Sequence, residues 1–254
     1  MINFLNNRKH LHFVGIGGIG MSGMAEFLYN HGFKISGSDI NKSDCTEHLS
    51  KYKKIEIFYH HNKNNIGECE LLIYSSAVNI DNYEIQEALK RKIPIMKRAE
   101  LLGELIKIKD ISIGVSGTHG KTTTASMLGN IIYEDKKDPT LIIGGIVNKF
   151  NSNNITGTGD IIVVEADEFD RSFLALRPTI SIVTNIELEH TDCYQNMTEL
   201  QDAFLTFCNS VPFYGAVILC ADSPSLMEII PEIRRPILTY GLSSNSFISA
   251  NNIS

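Results

Sequence analysis

Lys121, Thr122 and Glu165 are residues whose types and surroundings suit phosphate chemistry. The first two stand in GTHGKTTT, Gly117 to Thr124, between a short apolar run (ISIGV) and a helical pattern of Ala125, Met127, Leu128, Ile131 and Ile132. A strand that enters a glycine-bounded loop opening a helix directs backbone N–H groups and the positive end of the helix dipole at one place. That arrangement suits a di- or triphosphate. In this reading Lys121 bridges the β- and γ-phosphates and the Thr122 hydroxyl reaches Mg²⁺. The loop departs from the usual pattern, because Val115 stands five places before Gly120 where glycine is usual, and His119 is atypical. The spacing therefore predicts a tighter variant of the loop. A turn followed by a helix N-cap is the plainer alternative.

Four apolar residues run into Glu165 in IIVVEADEFD, Ile161 to Asp170. This places a carboxylate at the end of a buried strand, with Asp167 close behind, where it can hold Mg²⁺ directly or through water. His190 lies past another buried strand (TISIVT, Thr179 to Thr184), between Glu189 and Asp192. Alone it reads as a surface histidine; at the same sheet edge as Glu165 it becomes a candidate ligand.

A second glycine motif lies near the start. LHFVGIGGIGMSGMAEFLYNHGF, from Leu11, reads as strand, glycines and amphipathic helix, the first βα unit of a doubly wound fold. Gly15, Gly17 and Gly20 fit GxGxxG, and a strand from Phe33 to Ser38 ends at Asp39, placed for a ribose hydroxyl. The glycines let a backbone approach a pyrophosphate but do not say what it carries, so NAD, FAD and a UDP-sugar all fit. The apolar strand ELLIY delivers Ser75 and Ser76 to its carboxyl end, where the two hydroxyls either bond a nucleotide or cap the next helix.

Around these motifs the pattern predicts alternating elements. In the first half these are helices over 44–51, 82–90 and 98–106 and strands over 55–58, 70–74 and 94–96, with a domain boundary near Lys107 to Asp110. In the second half they are strands over 140–143, 216–219 and 237–240, a helix over 198–209 and a short helix after Pro224. Asn148 to Asp160 reads as a polar exposed loop, and the segment running to Ser254 as polar with no terminal element.

The 254 residues are 43% hydrophobic, with a net charge of -6 and no run of like charges. Nucleic acid is therefore not an expected partner, because backbone binding needs a clustered basic face. Five widely spaced cysteines without a CxxC pair read as reduced thiols. No apolar run approaches membrane-spanning length, and a soluble, cytoplasmic protein with no membrane partner is expected.

Taken together, GIGGIG, GTHGKTT, EADEFDRSF and TNIELEHTD, in this order from about Leu11 to Tyr240, resemble the Mur ligase family. The resemblance implies a Rossmann-like domain over 1–107 that binds the UDP of a UDP-muramoyl substrate in place of a nicotinamide. It also implies a P-loop-type α/β domain over 108–254, incomplete, that binds ATP and Mg²⁺. Carried onto this chain, Gly117, Thr118, His119, Gly120, Lys121, Thr122 and Thr123 match the ATP loop, and Thr122, Glu165 and His190 the metal ligands. Lys121, Glu165 and His190 are the implied catalytic residues. Gly17, Gly18, Asp39, Ser75 and Ser76 fall where the family contacts uridine diphosphate, with His61 a further candidate.

Some sister ligases use a carbamylated lysine beyond the motif histidine, whereas no lysine follows Lys149 here. That favours the alanine-adding branch. The implied reaction joins L-alanine to the lactyl carboxylate of UDP-N-acetylmuramate through an acyl phosphate. Three rivals stand beside it: a tripeptide-recycling ligase acting on the same UDP-sugar, an NAD-dependent oxidoreductase, and a nucleotide-binding piece with no activity of its own. A homodimer is left open.

Overall fold

The computed structural model describes residues 5, 8–147, 152–189, 192–242 and 245–250. It divides into two units, Met1–Glu104 with Gly144–Thr156, and Leu105–Ile143 with Gly157–Ser254.

In the first unit, short apolar strands alternate with helices, the pattern that builds a parallel sheet covered on both faces. Strands β1 (His10–Val14), β2 (Lys34–Ser38), β3 (Ile55–Phe58), β4 (Leu71–Tyr74) and β5 (Ile95–Lys97) form a five-stranded parallel sheet in the order β3-β2-β1-β4-β5. Helices α1 (Ile19–Asn30), α2 (Asp44–Leu49), α3 (Tyr83–Lys90) and α4 (Arg98–Leu105) complete the alternation. Ser43 and Thr46 cap α2 reciprocally, and the Asn82 side chain accepts from the Glu84 N–H at the start of α3. Val14, Ile66, Cys69, Leu72, Ile85 and Ala88 form one buried cluster between β1, β4 and α3. The chain leaves β1 for β2 on one side and returns to β4 on the other. The order of strands thus switches between β1 and β4, where ligands bind in open α/β sheets.

The second sheet is eight-stranded. It comprises β6 (Ile111–Ser116), β7 (Thr140–Val147), β8 (Ser152–Ile155), β9 (Ile161–Glu165), β10 (Ile180–Val183), β11 (Ala216–Cys220), β12 (Ile237–Gly241) and β13 (Ile248–Ser249), in the order β13-β12-β11-β10-β6-β9-β7-β8. Helices α5 (Lys121–Glu134), α6 (Met197–Asn209) and α7 (Pro224–Ile229) connect them. The aromatic rings of Phe204 and Phe207 on α6 pack against Phe173 at 5.2 and 5.1 Å between centroids. The position of β6 matters most for the site. It pairs in parallel with β9 on one side, Val115 opposite Glu165, and with β10 on the other, Ser116 opposite Val183.

Two expectations from the sequence are corrected. The polar stretch 148–160 is not all loop, since β8 lies within it and Asn154 is buried, donating to the Gly23 carbonyl of α1 at 2.9 Å. The Ser and two Asn residues of β8 carry little strand propensity, so pairing and this buried amide decide the conformation. The C-terminal segment likewise adds an element, because β13 pairs in parallel with β12 and closes one edge of the sheet. All five cysteines are free, and among the described residues no helix is long and apolar enough to cross a membrane.

Candidate active site

The phosphate-type loop leaves β6 at Ser116 and enters α5 at Lys121. Gly117 adopts φ of +131°, and a Cβ there would stand 2.1 Å from the Thr184 Oγ1, so both conformation and space exclude any larger residue. Gly120 is the left-handed N-cap of α5, and no side chain caps that helix. The loop is pinned from β10's carboxyl end. The Asn185 carbonyl accepts from Thr118 N–H at 3.1 Å, and its side-chain oxygen accepts from His119 N–H at 2.9 Å. The Asn185 amide and the Thr184 hydroxyl both donate to the His119 carbonyl. Thr118 exchanges hydrogen bonds with the Glu187 backbone.

Two carboxylates meet the start of α5. The Thr122 hydroxyl on α5 lies 3.0 Å from each oxygen of Glu165, the residue that β9 sets opposite Val115. The Lys121 ammonium donates to Glu168 at 2.8 and 3.1 Å, and to the Gly117 and Thr118 carbonyls at 2.8 and 3.2 Å. Burial pushes the Glu168 carboxyl above its ordinary range, and the hydrogen bond from Lys121 opposes that rise. Asp167 stands 3.9 Å from the same ammonium and is half exposed. The exposed His119 ring lies 3.6 Å from Glu187 and 3.4 Å from Glu189. Thr123 is exposed on the first turn of α5. His190 lies outside the described residues.

A hydroxyl and a carboxylate converging beside a lysine form the hard oxygen set that suits Mg²⁺ next to phosphate. Among the described residues no group of three His, Cys, Asp or Glu is clustered to hold a metal by itself.

The first unit gathers its candidates at the switch point. Gly15 turns the chain with φ of +82° immediately after β1, close against Ser75 at the end of β4. The Asp39 carboxylate accepts from Gly17 N–H at 2.9 Å and from Asn41 N–H at 3.1 Å, so it braces the glycine loop itself. Gly18 is the N-cap of α1. Ser75 accepts from Ala77 N–H at 3.4 Å and Ser76 is exposed, while the following helix takes its cap from Asn82 and from neither serine. His61 Nδ1 lies 3.0 Å from Ser38 Oγ and 3.5 Å from the fully buried Glu84.

Several site residues carry no role of their own in the sequence reading. Thr184 and Asn185 hold the loop from just past β10, and their signal is that they open the TNIELEHTD motif. Glu168 shows no periodicity that marks it as the partner of Lys121. Glu84 also escapes notice, although it receives Ser38 Oγ at 2.5 Å, Asn65 Nδ2 at 2.6 Å and Asn62 N–H at 3.1 Å, with His12 Nε2 at 3.4 Å.

Fold and loops together define an α/β protein with a Rossmann-like first unit and a P-loop-type second one. The chain belongs to the Mur ligase family: residues 10–109 match the Mur ligase family, catalytic domain, and residues 115–254 the Mur ligase middle domain. It is 48% identical over 234 residues to the UDP-N-acetylmuramate–L-alanine ligase of Syntrophus aciditrophicus, covering 92% of this chain and 48% of that protein. To the enzyme of the same name from Aquifex aeolicus it is 45% identical over 245 residues, covering 96% and 54%. Among solved structures, the UDP-N-acetylmuramate–alanine ligase of Thermotoga maritima superposes with a TM-score of 0.81 at 31% identity, covering 94% of this chain and 54% of that one. The chain thus spans about half the length of the curated relatives it matches.

Proposed function

We propose that this chain supplies the sugar-nucleotide and ATP sites of a ligase that joins L-alanine to the lactyl carboxylate of UDP-N-acetylmuramate in the cytoplasm. The observation that carries the reading is the convergence of Lys121, Thr122 and Glu165 at one loop, in a chain 48% and 45% identical to two proteins named UDP-N-acetylmuramate–L-alanine ligase.

ATP would supply a transferable phosphoryl group, so that the carboxylate becomes an acyl phosphate that an amine can attack. The residues of this chain answer the electrostatic problem, since a carboxylate must approach a polyphosphate of like charge. Lys121 and the loop amides offset that repulsion, and Thr122 and Glu165 would hold Mg²⁺, with His190 a proposed further ligand. The glycine loop at Gly15 to Gly18 would admit the pyrophosphate of the UDP-sugar, with Ser75, Ser76 and His61 at its margin. Asp39, engaged with Gly17, would shape that loop whether or not it also reaches the ribose.

The test is turnover by the whole protein with ATP, UDP-N-acetylmuramate and either L-alanine or the tripeptide as acceptor. Alanine-dependent phosphate release is expected. Release with the tripeptide alone would assign the chain to a recycling ligase, and NADH-dependent oxidation of a substrate would overturn the reading altogether.

A further inference from the structure

Lys121 has no free valence in this structure. Its three ammonium protons face four protein oxygens, two from the loop's own carbonyls and two from Glu168. The Glu168 side chain is 1% exposed and that of Lys121 12%. Such a pair is held by geometry as much as by charge, because a carboxylate taken out of water is stable only while a cation and donors remain beside it.

The segment that carries Glu168 is firmly braced. The Glu168 carbonyl accepts from the buried Tyr194 hydroxyl at 2.7 Å and from Arg171 N–H at 3.0 Å. Asp170 and Arg171 are consecutive left-handed residues, φ +51° and +60°, a costly backbone that persists only where its surroundings enforce it. Arg171 is fixed in turn by hydrogen bonds to the Cys193 carbonyl and Glu199, and by its guanidinium 5.2 Å over the Tyr194 ring. Glu168 therefore cannot easily follow the lysine if phosphate draws it away.

We propose that Glu168 is the internal counter-ion against which nucleotide phosphates compete for Lys121, and so a determinant of nucleotide affinity. The inference rests on the reading of the loop as a phosphate site. Whatever attraction a β- or γ-phosphate has for the ammonium is reduced by the cost of leaving Glu168 with one fewer donor in a dry pocket. Glu168 acts through Lys121 and is a positioning residue, not a catalytic one.

Isothermal titration of ADP, ATP and AMP into the 254-residue chain tests this. Glu168→Gln keeps the shape and an acceptor but removes the charge, and is expected to tighten ADP and ATP binding about tenfold, the effect of one weakened charged hydrogen bond. AMP, which lacks the outer phosphates, is expected to bind Glu168→Gln as it binds the wild type. The tightening should vanish in a Lys121→Met background, which a merely structural role would not produce. Should Glu168→Gln not fold, as judged by circular dichroism, Glu168→Asp withdraws the charge by one methylene, and partial tightening is expected. Unchanged or weaker ADP binding in folded Glu168→Gln, or an equal shift for AMP, overturns the proposal. A folded wild type that binds neither ADP nor ATP overturns the underlying reading of the loop instead.

Discussion

At Gly117 one methyl group separates two outcomes. Alanine there would need φ of +131° and would place its Cβ 2.1 Å from Thr184 Oγ1, displacing a hydroxyl that also holds the His119 carbonyl. Gly117→Ala is expected to cost about 1–3 kcal/mol and to lower the thermal midpoint of the second unit, with loss of nucleotide binding. An unchanged midpoint would show that the loop relaxes freely and that the contact is incidental. Glu165 makes a different prediction, because its two oxygens share the Thr122 hydroxyl. Glu165→Ala is expected to abolish the gain in ATP affinity that Mg²⁺ confers while leaving affinity in EDTA within about twofold, the exposed-contact range. Titrations with and without Mg²⁺ read this directly. The motif carrying Lys121, Thr122 and Glu165 was plain in the sequence, since chain-local signals mark a strand, a glycine turn and a strand-end acid. Glu168 was not, because its partner is 47 residues away and no local pattern pairs a turn carboxylate with a distant lysine.

Among the elements, β1 and β2 of the first unit carry polar residues into the core in a regular way. His10 and His12 alternate with apolar residues on β1, and Ser36 and Ser38 do so on β2. His12 lies opposite Ser36 in register. Both histidine rings bond Ser36 at 2.8 Å, and His12 and Ser38 also meet Glu84 from α3. The period of two was visible in HLHFV and KISGS, yet apolar content alone defined those strands, and only the register shows that the polar positions share a face.

Removing Glu84 leaves buried donors without an acceptor, and Glu84→Ala is expected to destabilise the first unit by about 1–3 kcal/mol, measured by urea unfolding. Acid should act in the same direction. Burial, then Lys34 and His12, hold His10 below its ordinary 6.5, so as pH falls through that value the unfolded chain binds a proton that the folded one refuses, and stability declines. Burial alone would raise the Glu84 carboxyl, but hydrogen bonds from His12, Ser38 and Asn62 hold it below 4.5, adding a second decline as pH falls past that point. Hydrogen exchange at β1 amides across this range should show protection falling in two stages. Protection independent of pH would contradict the assignment of these groups. Strands β8 and β13 escaped the sequence reading for another reason. Edge pairing decides them, and polar edge residues carry no apolar signature.

For the whole molecule, the alternation of strands and helices made the two sheets with their parallel pairs legible, and the four motifs in their order made the family legible. The assignment of residues 144–156 to the first unit was not, since that depends on where the end of β7 and all of β8 find their contacts. Two separate glycine-lined loops are proposed to bind two different anionic ligands. The most direct test is to titrate ATP and UDP-N-acetylmuramate in turn into the chain and into its Lys121→Met variant. The variant is expected to lose ATP affinity by about a hundredfold, the loss of a charged phosphate contact at a dry site, while UDP-N-acetylmuramate binding is unchanged. Loss of both affinities together in a folded variant, or retention of both, would contradict it.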